Sequence, residues 1–248
     1  MLKYGANNIG KIFLGSNEIG KAFLGSNLVF QKDGGGDQPG GDLPAGYVAY
    51  DYIEADATAI IDTGVNASSP LSMWMRFVYP YGTTGDVIPL GARGAGNTNT
   101  RMFPLAIYQQ RINFGYGFYQ TVTDSSFETS LSNGYHFNVW TSLANGAQTR
   151  RVLIEETNVE YEMSFSLSGD FNLGKNLHLF ANNYTSISHV KAGFRCYGLR
   201  LYDDAVFSSI IFDGIPCTNQ YGEAGLYDKI GKQFHGKIGG GSITAGND

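Results

Sequence analysis

The chain is poor in charge. Only 16% of its 248 residues are Asp, Glu, Lys or Arg, against roughly 25% in an average globular chain. A helical bundle or coiled coil draws heavily on Ala, Glu, Lys and Leu, so this composition excludes one. Cysteine is scarce too, with Cys196 and Cys217 the only two. They allow one disulfide or two buried thiols in strands. They do not make a zinc site, which takes four ligands at spacings absent here. No apolar run approaches the roughly 20 residues of a membrane-crossing helix. Residues 1–11 lack the apolar stretch of a secretion signal. The expectation is a chain made in the cytoplasm without a signal peptide and not inserted in a membrane.

A basic stripe is also missing. Lys and Arg total 17 against 22 Asp and Glu, a net charge of −5. Nucleic-acid binders normally carry a basic face, so no nucleic-acid partner is expected. The one basic doublet, Arg150-Arg151, is followed by Glu155-Glu156. These four charges are expected on a solvated strand or its edge.

What the chain has in plenty is glycine and aromatics: 34 Gly, 16 Tyr and 16 Phe, with 42% hydrophobic residues. That is ample material for a core and excludes general disorder. Apolar and polar residues alternate with period two in many short runs. Val159, Tyr161, Met163, Phe165 and Leu167 alternate with Asn158, Glu160, Glu162, Ser164 and Ser166. Tyr135, Phe137 and Val139 alternate with His136, Asn138 and Trp140; Ile112, Phe114, Tyr116 and Phe118 alternate with Asn113, Gly115, Gly117 and Tyr119. Met73, Met75, Phe77 and Tyr79 form a further apolar set. Alternation of this kind puts one set in a core and the other in water. The only helical expectation is a turn or two within 204–211. Strands this dense, separated by Gly, Asn, Ser and Pro, predict an all-β two-sheet jelly-roll sandwich.

Three regions are expected. Residues 1–32 hold a repeat: Ile-Gly-Lys-Ile-Phe-Leu-Gly-Ser-Asn at 9–17 recurs at 19–27 with one difference. Each copy reads as a short strand and a turn, carrying Lys11, Phe13 and Leu14 in the first and Lys21, Phe23 and Leu24 in the second. A lone hairpin is marginal in water. The arm is therefore expected to meet its own domain, further copies of the chain, or another protein. Residues 33–45 are Gly-, Asp- and Pro-rich and read as a flexible linker. Residues 46–248 form the sandwich.

Both ends of that last region resemble a known family. Tyr52-Ile53-Glu54, followed by Ile60-Ile61-Asp62-Thr63-Gly64, resembles the opening strands of concanavalin A-like, laminin-G-like domains, with Ile60 in place of the usual aromatic. Gly198-Leu199-Arg200-Leu201-Tyr202-Asp203, Ile215-Pro216-Cys217 and Gly222-Glu223-Ala224-Gly225-Leu226-Tyr227-Asp228 are similar to the family's late strands and closing motif. Such domains are frequent in virion proteins of phages infecting Bacteroidales, and the repeated arm is similar to N-terminal segments of phage tail and fibre proteins. The resemblance implies a concanavalin A-like jelly roll in a non-enzymatic virion protein. It would be a fibre or attachment appendage that binds a host surface glycan or protein. Its partners would be other virion proteins, met through the arm, and further copies of itself, a trimer by preference. First and last strands are expected side by side, with Leu226 and Tyr227 packed inward and Asp228 capping a turn. A purely structural capsid or tail decoration protein and a surface glycoside hydrolase are the alternatives.

The residues themselves name no catalytic set. Glycoside hydrolysis needs two carboxylates about 5–9 Å apart across a sugar, and no Glu-x-Asp-x-Glu occurs. No cofactor is expected. Calcium is the one metal to carry, with Asp203-Asp204 and an Asn182-Asn183 turn as oxygen donors. Sugar binding asks for exposed aromatics beside polar groups. Trp74, Tyr81, Tyr108, Gln110 and Trp140 are the candidates. The bare stretch Asn113, Gly115, Gly117 suits a shallow groove or a neighbouring subunit.

Overall fold

Period-two patterning becomes strands throughout, and no helix occurs among the described residues. The computed structural model describes residues 3–4, 7–8, 12–14, 17–19, 21–24, 27–31, 43–56, 58–79, 87–93, 102–108, 111–116, 118–121, 134–143, 146–167, 172–183, 188–189 and 194–248. The chain separates into two units, Met1–Gly41 and Asp42–Asp248. The linker expected at 33–45 lies outside the described residues up to residue 42.

Among its described residues the first unit has three local antiparallel pairs. β1 (Lys3–Tyr4) pairs with β2 (Asn7–Asn8), β3 (Ile12–Leu14) with β4 (Asn17–Ile19), and β5 (Lys21–Leu24) with β6 (Asn27–Gln31). Each copy of the repeat supplies the first strand of a pair and joins the segment just after it.

The second unit runs β7 (Val48–Ala49), β8 (Tyr52–Ala55), β9 (Ile60–Ser68), β10 (Leu71–Val78), β11 (Val87–Arg93), β12 (Met102–Tyr108), β13 (Arg111–Tyr116) and β14 (Phe118–Thr121). It continues through β15 (His136–Leu143), β16 (Gly146–Ile154), β17 (Val159–Leu167), β18 (Asn172–Leu179), β19 (Ala181–Asn183), β20 (Ser188–His189) and β21 (Phe194–Tyr202). It ends with β22 (Ile210–Thr218), β23 (Ala224–Asp228), β24 (Gln233–Ile238) and β25 (Ile243–Gly246). One layer has the order β17-β16-β15-β10-β21. Beyond β21 its far edge is shared by β8 and β22, with β25 beside β8 and β23 beside β22. The other layer runs β14-β13-β12-β11-β18-β9. This is the expected all-β jelly-roll sandwich.

Strand β24 joins the layers. Its first four residues pair with β23, and Lys237 and Ile238 pair with β9. Gly225 sits opposite Gly236 at this corner. A Cβ on Gly225 would lie 2.4 Å from the His235 carbonyl oxygen and 2.8 Å from the Phe234 ring. Only glycine lets the two backbones approach so closely.

The core lies between the layers. Met73, Met75, Phe77, Phe137, Val139, Val152 and Phe194 face it from one side; Ile61, Leu90, Leu105, Ile112, Leu177 and Leu179 face it from the other. Phe77 stacks on Phe137 at 5.5 Å and on Phe194 at 5.2 Å, and Phe194 meets Phe180 edge-on at 6.1 Å. Each such ring contributes about 1.5–3 kcal/mol through burial.

The chain ends close as expected. β25 pairs with β8, Ile243 opposite Ala55 and Gly246 opposite Tyr52. Asp56 fastens the junction: its Oδ1 accepts from the Thr58 and Ala59 amides at 2.9 and 3.0 Å, and its Oδ2 from Ser242 N at 2.5 Å and Ser242 Oγ at 3.0 Å. Asp228 caps its turn, accepting from the amides of Asp213, Ile230 and Gly231 at 2.9, 3.0 and 2.8 Å.

Five expectations are corrected or resolved by the packing. Arg150 is not solvated but 1% exposed. Its register places it opposite Thr141 and Met163, on the same face of β16 as Val152 and Ile154. Leu226 packs inward, but Tyr227 does not join it, because neighbours in a strand point to opposite faces; Tyr227 is covered by Tyr47 at 5.6 Å. Asn182 and Asn183 are not in a turn but in β19, which runs parallel to Gly91 and Ala92 of β11. Residues 204–209 form bends rather than a helical turn, held by Asp204, whose carboxylate accepts from the amides of Val206, Ser208 and Ser209. Both cysteines are free, buried thiols, and burial pushes each up to about 12.

Candidate ligand-binding face

The pleat that sends Met73, Met75 and Phe77 into the core sends Trp74 and Arg76 out of it. The same holds on β15 for Asn138 and Trp140, on β16 for Arg151, and on β21 for Arg200. Antiparallel register then sets these side chains in a row across the sheet. Trp74 is directly opposite Trp140; Trp140 is opposite Arg151, Trp74 opposite Arg200, and Arg200 opposite Asp213. Arg151 lies over the Trp140 ring at 3.9 Å and Arg200 over the Trp74 ring at 5.0 Å. Both guanidinia are also paired with carboxylates. Arg200 Nε donates to Asp213 Oδ1 at 3.0 Å, and Arg151 Nε lies 3.4 Å from Glu160 Oε1. Lys229 Nζ reaches Asp213 Oδ2 at 3.0 Å.

Trp74 is fixed at both ends. Its Nε1 donates to Asn138 Oδ1 at 3.2 Å. Its benzo edge lies on Gly198, where a Cβ would stand 3.1 and 3.2 Å from Cζ3 and Cη2. The indole therefore lies across the sheet, over backbone that a side chain would otherwise cover.

A second row runs beside the first. Arg76 forms a bidentate pair with Glu155 at 2.7 and 2.8 Å. Asn138 Nδ2 donates to the same carboxylate. Arg195 Nε donates to Glu54 Oε2 at 2.9 Å and lies over the Tyr52 ring at 4.3 Å. Tyr197 donates to Asp248 Oδ1 at 2.9 Å, and Arg76 lies 4.6 Å from its ring centroid. His136 stands between Glu156, at 2.7 Å from Nδ1, and Asp248, at 3.3 Å from Nε2.

The electrostatics follow from this pairing. Burial pushes the Glu155 carboxyl up, but the hydrogen bonds from Arg76 and Asn138 and the Arg76 charge outweigh it, so the net shift is down. Burial likewise lowers Arg76, and Glu155 more than restores it. Burial and the bond to Asp248 push the Tyr197 phenol up. Arg76 and Glu155 thus hold each other in their charged forms.

Of the sequence candidates, Trp74 and Trp140 are brought together as cross-strand neighbours. Tyr81 and Gln110 lie outside the described residues, as does Lys11. Tyr108 closes β12, in the other layer, so its strand is not beside the tryptophans; its side chain lies outside the described set. The side chains of Phe13, Leu14, Lys21, Phe23 and Leu24 also lie outside it. The sequence reading missed Arg76, Asn138, Glu155, Arg151 and Arg200 as parts of one face. Their outward positions were legible from alternation, but their neighbours were not.

On the opposite layer, Asp62 and His178 are cross-strand partners with Nε2 4.0 Å from Oδ2, and His235 Nδ1 donates to the Asp62 carbonyl at 2.9 Å. Burial lowers the His178 pKa, which favours the neutral imidazole. Among the described residues no group of three or more His, Cys, Asp or Glu is arranged to hold a metal.

No protein-family model matches this chain, and no curated protein matches it. Solved structures do. The enzymatically active domain of tailspike protein 2 from bacteriophage CBA120 is similar at 13% identity and a TM-score of 0.45, over 59% of this chain and 26% of that one. Domains LG4-5 of the mouse laminin α1 chain are similar at 15% identity and a TM-score of 0.43, over 62% and 41%. Scytalido-glutamic peptidase is similar at 12% identity and a TM-score of 0.33, over 69% and 84%. The match spans well under half the length of the tailspike and laminin chains.

Proposed function

We propose that residues 46–248 are a glycan-binding module displayed on a phage virion appendage, joined to its neighbours by the repeated arm. The observation that carries the binding half is the Trp74–Trp140 pair on the outer face, with the exposed carboxylates of Glu160 and Glu162 on the neighbouring edge strand. Aromatic faces stack on the apolar face of a pyranose, while amides and carboxylates take its hydroxyls. The virion half rests on the sequence: the repeated arm, the linker and the family resemblance at both ends of the sandwich. The module is read as a binder rather than a hydrolase because the sequence carries no Glu-x-Asp-x-Glu set to place two carboxylates across a sugar. The arm serves assembly, with a homo-oligomer, a trimer by preference, supplying avidity.

The test is calorimetric titration of host surface polysaccharide into the full chain and into Trp74→Ala and Trp140→Ala. Each variant is expected to bind about tenfold more weakly, as the loss of one stacked ring implies, and no reducing ends should be released. Unchanged affinity in both variants would remove the face from any binding role. Release of reducing ends would make the protein a hydrolase.

A further inference from the structure

We infer that the tryptophan face takes an uncharged saccharide and rejects uronate and sulfated ones; this rests on the glycan-binding reading above. An acidic sugar is held by a cation able to turn its donors toward it. On this face each guanidinium already meets a carboxylate. Arg76 meets Glu155 in a bidentate pair, Arg195 meets Glu54 at 2.9 Å, Arg200 meets Asp213 at 3.0 Å, and Arg151 stands 3.4 Å from Glu160. Lys229, the lysine at the edge of the row, shares Asp213 with Arg200.

The carboxylates go further than neutralising these cations. Glu162 is exposed opposite Arg151 on the edge strand β17, beside Glu160, which is 45% exposed. Glu156 and Asp248 flank His136 at the far end of the second row. An anionic ligand laid along the indoles would meet these charges at short range and would have to break an existing pair to gain a cation. A neutral saccharide meets no such barrier. Its hydroxyls are donors, and ionised carboxylates only accept, so the rim that repels an acid suits a polyol. The part-exposed indoles, which already carry Arg151 and Arg200 over their rings, select for an apolar C–H surface, and the carboxylate rim selects for the absence of charge.

The experiment offers the full chain three immobilised polymers: a neutral glucan or mannan, a polyuronate and a sulfated glycan. Each is measured at low and at high salt, with wild type and Trp74→Ala. The expected result is retention on a neutral polymer, with affinity nearly independent of salt because no ion pair forms across the interface, and about tenfold weaker binding for Trp74→Ala. Preferred retention on the polyuronate or sulfated polymer, falling with salt and weakened by Trp74→Ala, would overturn this inference while leaving the glycan-binding reading in place. Binding that Trp74→Ala does not alter, on any of the three, would overturn both.

Discussion

Arg151 holds its guanidinium 3.9 Å from the centre of the Trp140 ring, its cross-strand partner on β15. The stack covers one side of an indole that otherwise faces solvent. It also explains why a charged residue occupies the outward position next to a buried one: the arginine stem and the ring shelter each other while the charge stays at the surface.

For Arg151→Ala the expected cost is about 0.5–1 kcal/mol, the scale of an exposed cation–π contact with a surface ion pair. Uncovering the ring should also shift the indole emission to the red. Denaturant unfolding followed by tryptophan fluorescence reads both quantities. Emission identical to wild type would mean that the stack is not populated in solution.

Arg150, one residue earlier, should behave very differently. It is buried among the core-facing side chains, and burial lowers its pKa to about 9. Arg150→Ala removes a long buried side chain and leaves a cavity, so about 2–4 kcal/mol is expected. The comparison with Arg151→Ala in the same urea titration is the check. Equal costs for the two neighbours would mean that the register of β16 is shifted by one.

Acid should loosen the junction between the first and last strands. The Asp56 carboxyl is held at about 2 against an ordinary 3.8; the largest contribution is the hydrogen bond from the Thr58 amide, opposed by desolvation and reinforced by Ser242. A lowered folded-state pKa contributes stability that is fully present above the ordinary value and is lost as pH falls from about 4 toward about 2. Hydrogen exchange at residues 243–246 should therefore accelerate across that window. In Asp56→Asn the pH dependence there should flatten, because no group is left at that site to titrate. A wild-type profile in the variant would assign the acid response to another carboxylate.

The sequence by itself determined the layers and what faces them. Period-two runs such as Met73, Met75 and Phe77, and glycine-rich breaks between them, specify strands and their buried side because successive side chains in a strand point to opposite faces. Alternation also put Trp74 and Trp140 on the outside; the family resemblance implied that first and last strands lie side by side, and it is β25, beyond the closing motif, that lies beside β8. Arg150 and Tyr227 show the same rule applied too loosely: residue character suggested one face, and strict alternation with their neighbours gives the other.

Tertiary structure alone decided which residues meet. That Trp74 lies opposite Trp140 depends on β10 and β15 being adjacent and in register, although more than sixty residues separate them in the chain. Arg76 finds Glu155, and Arg200 finds Asp213, through the same long-range pairing. Strand order is set by how two twisted layers bury the most apolar surface together, a property of the whole core that no local pattern encodes. The tryptophan row and its screen of carboxylates exist only once that order is chosen.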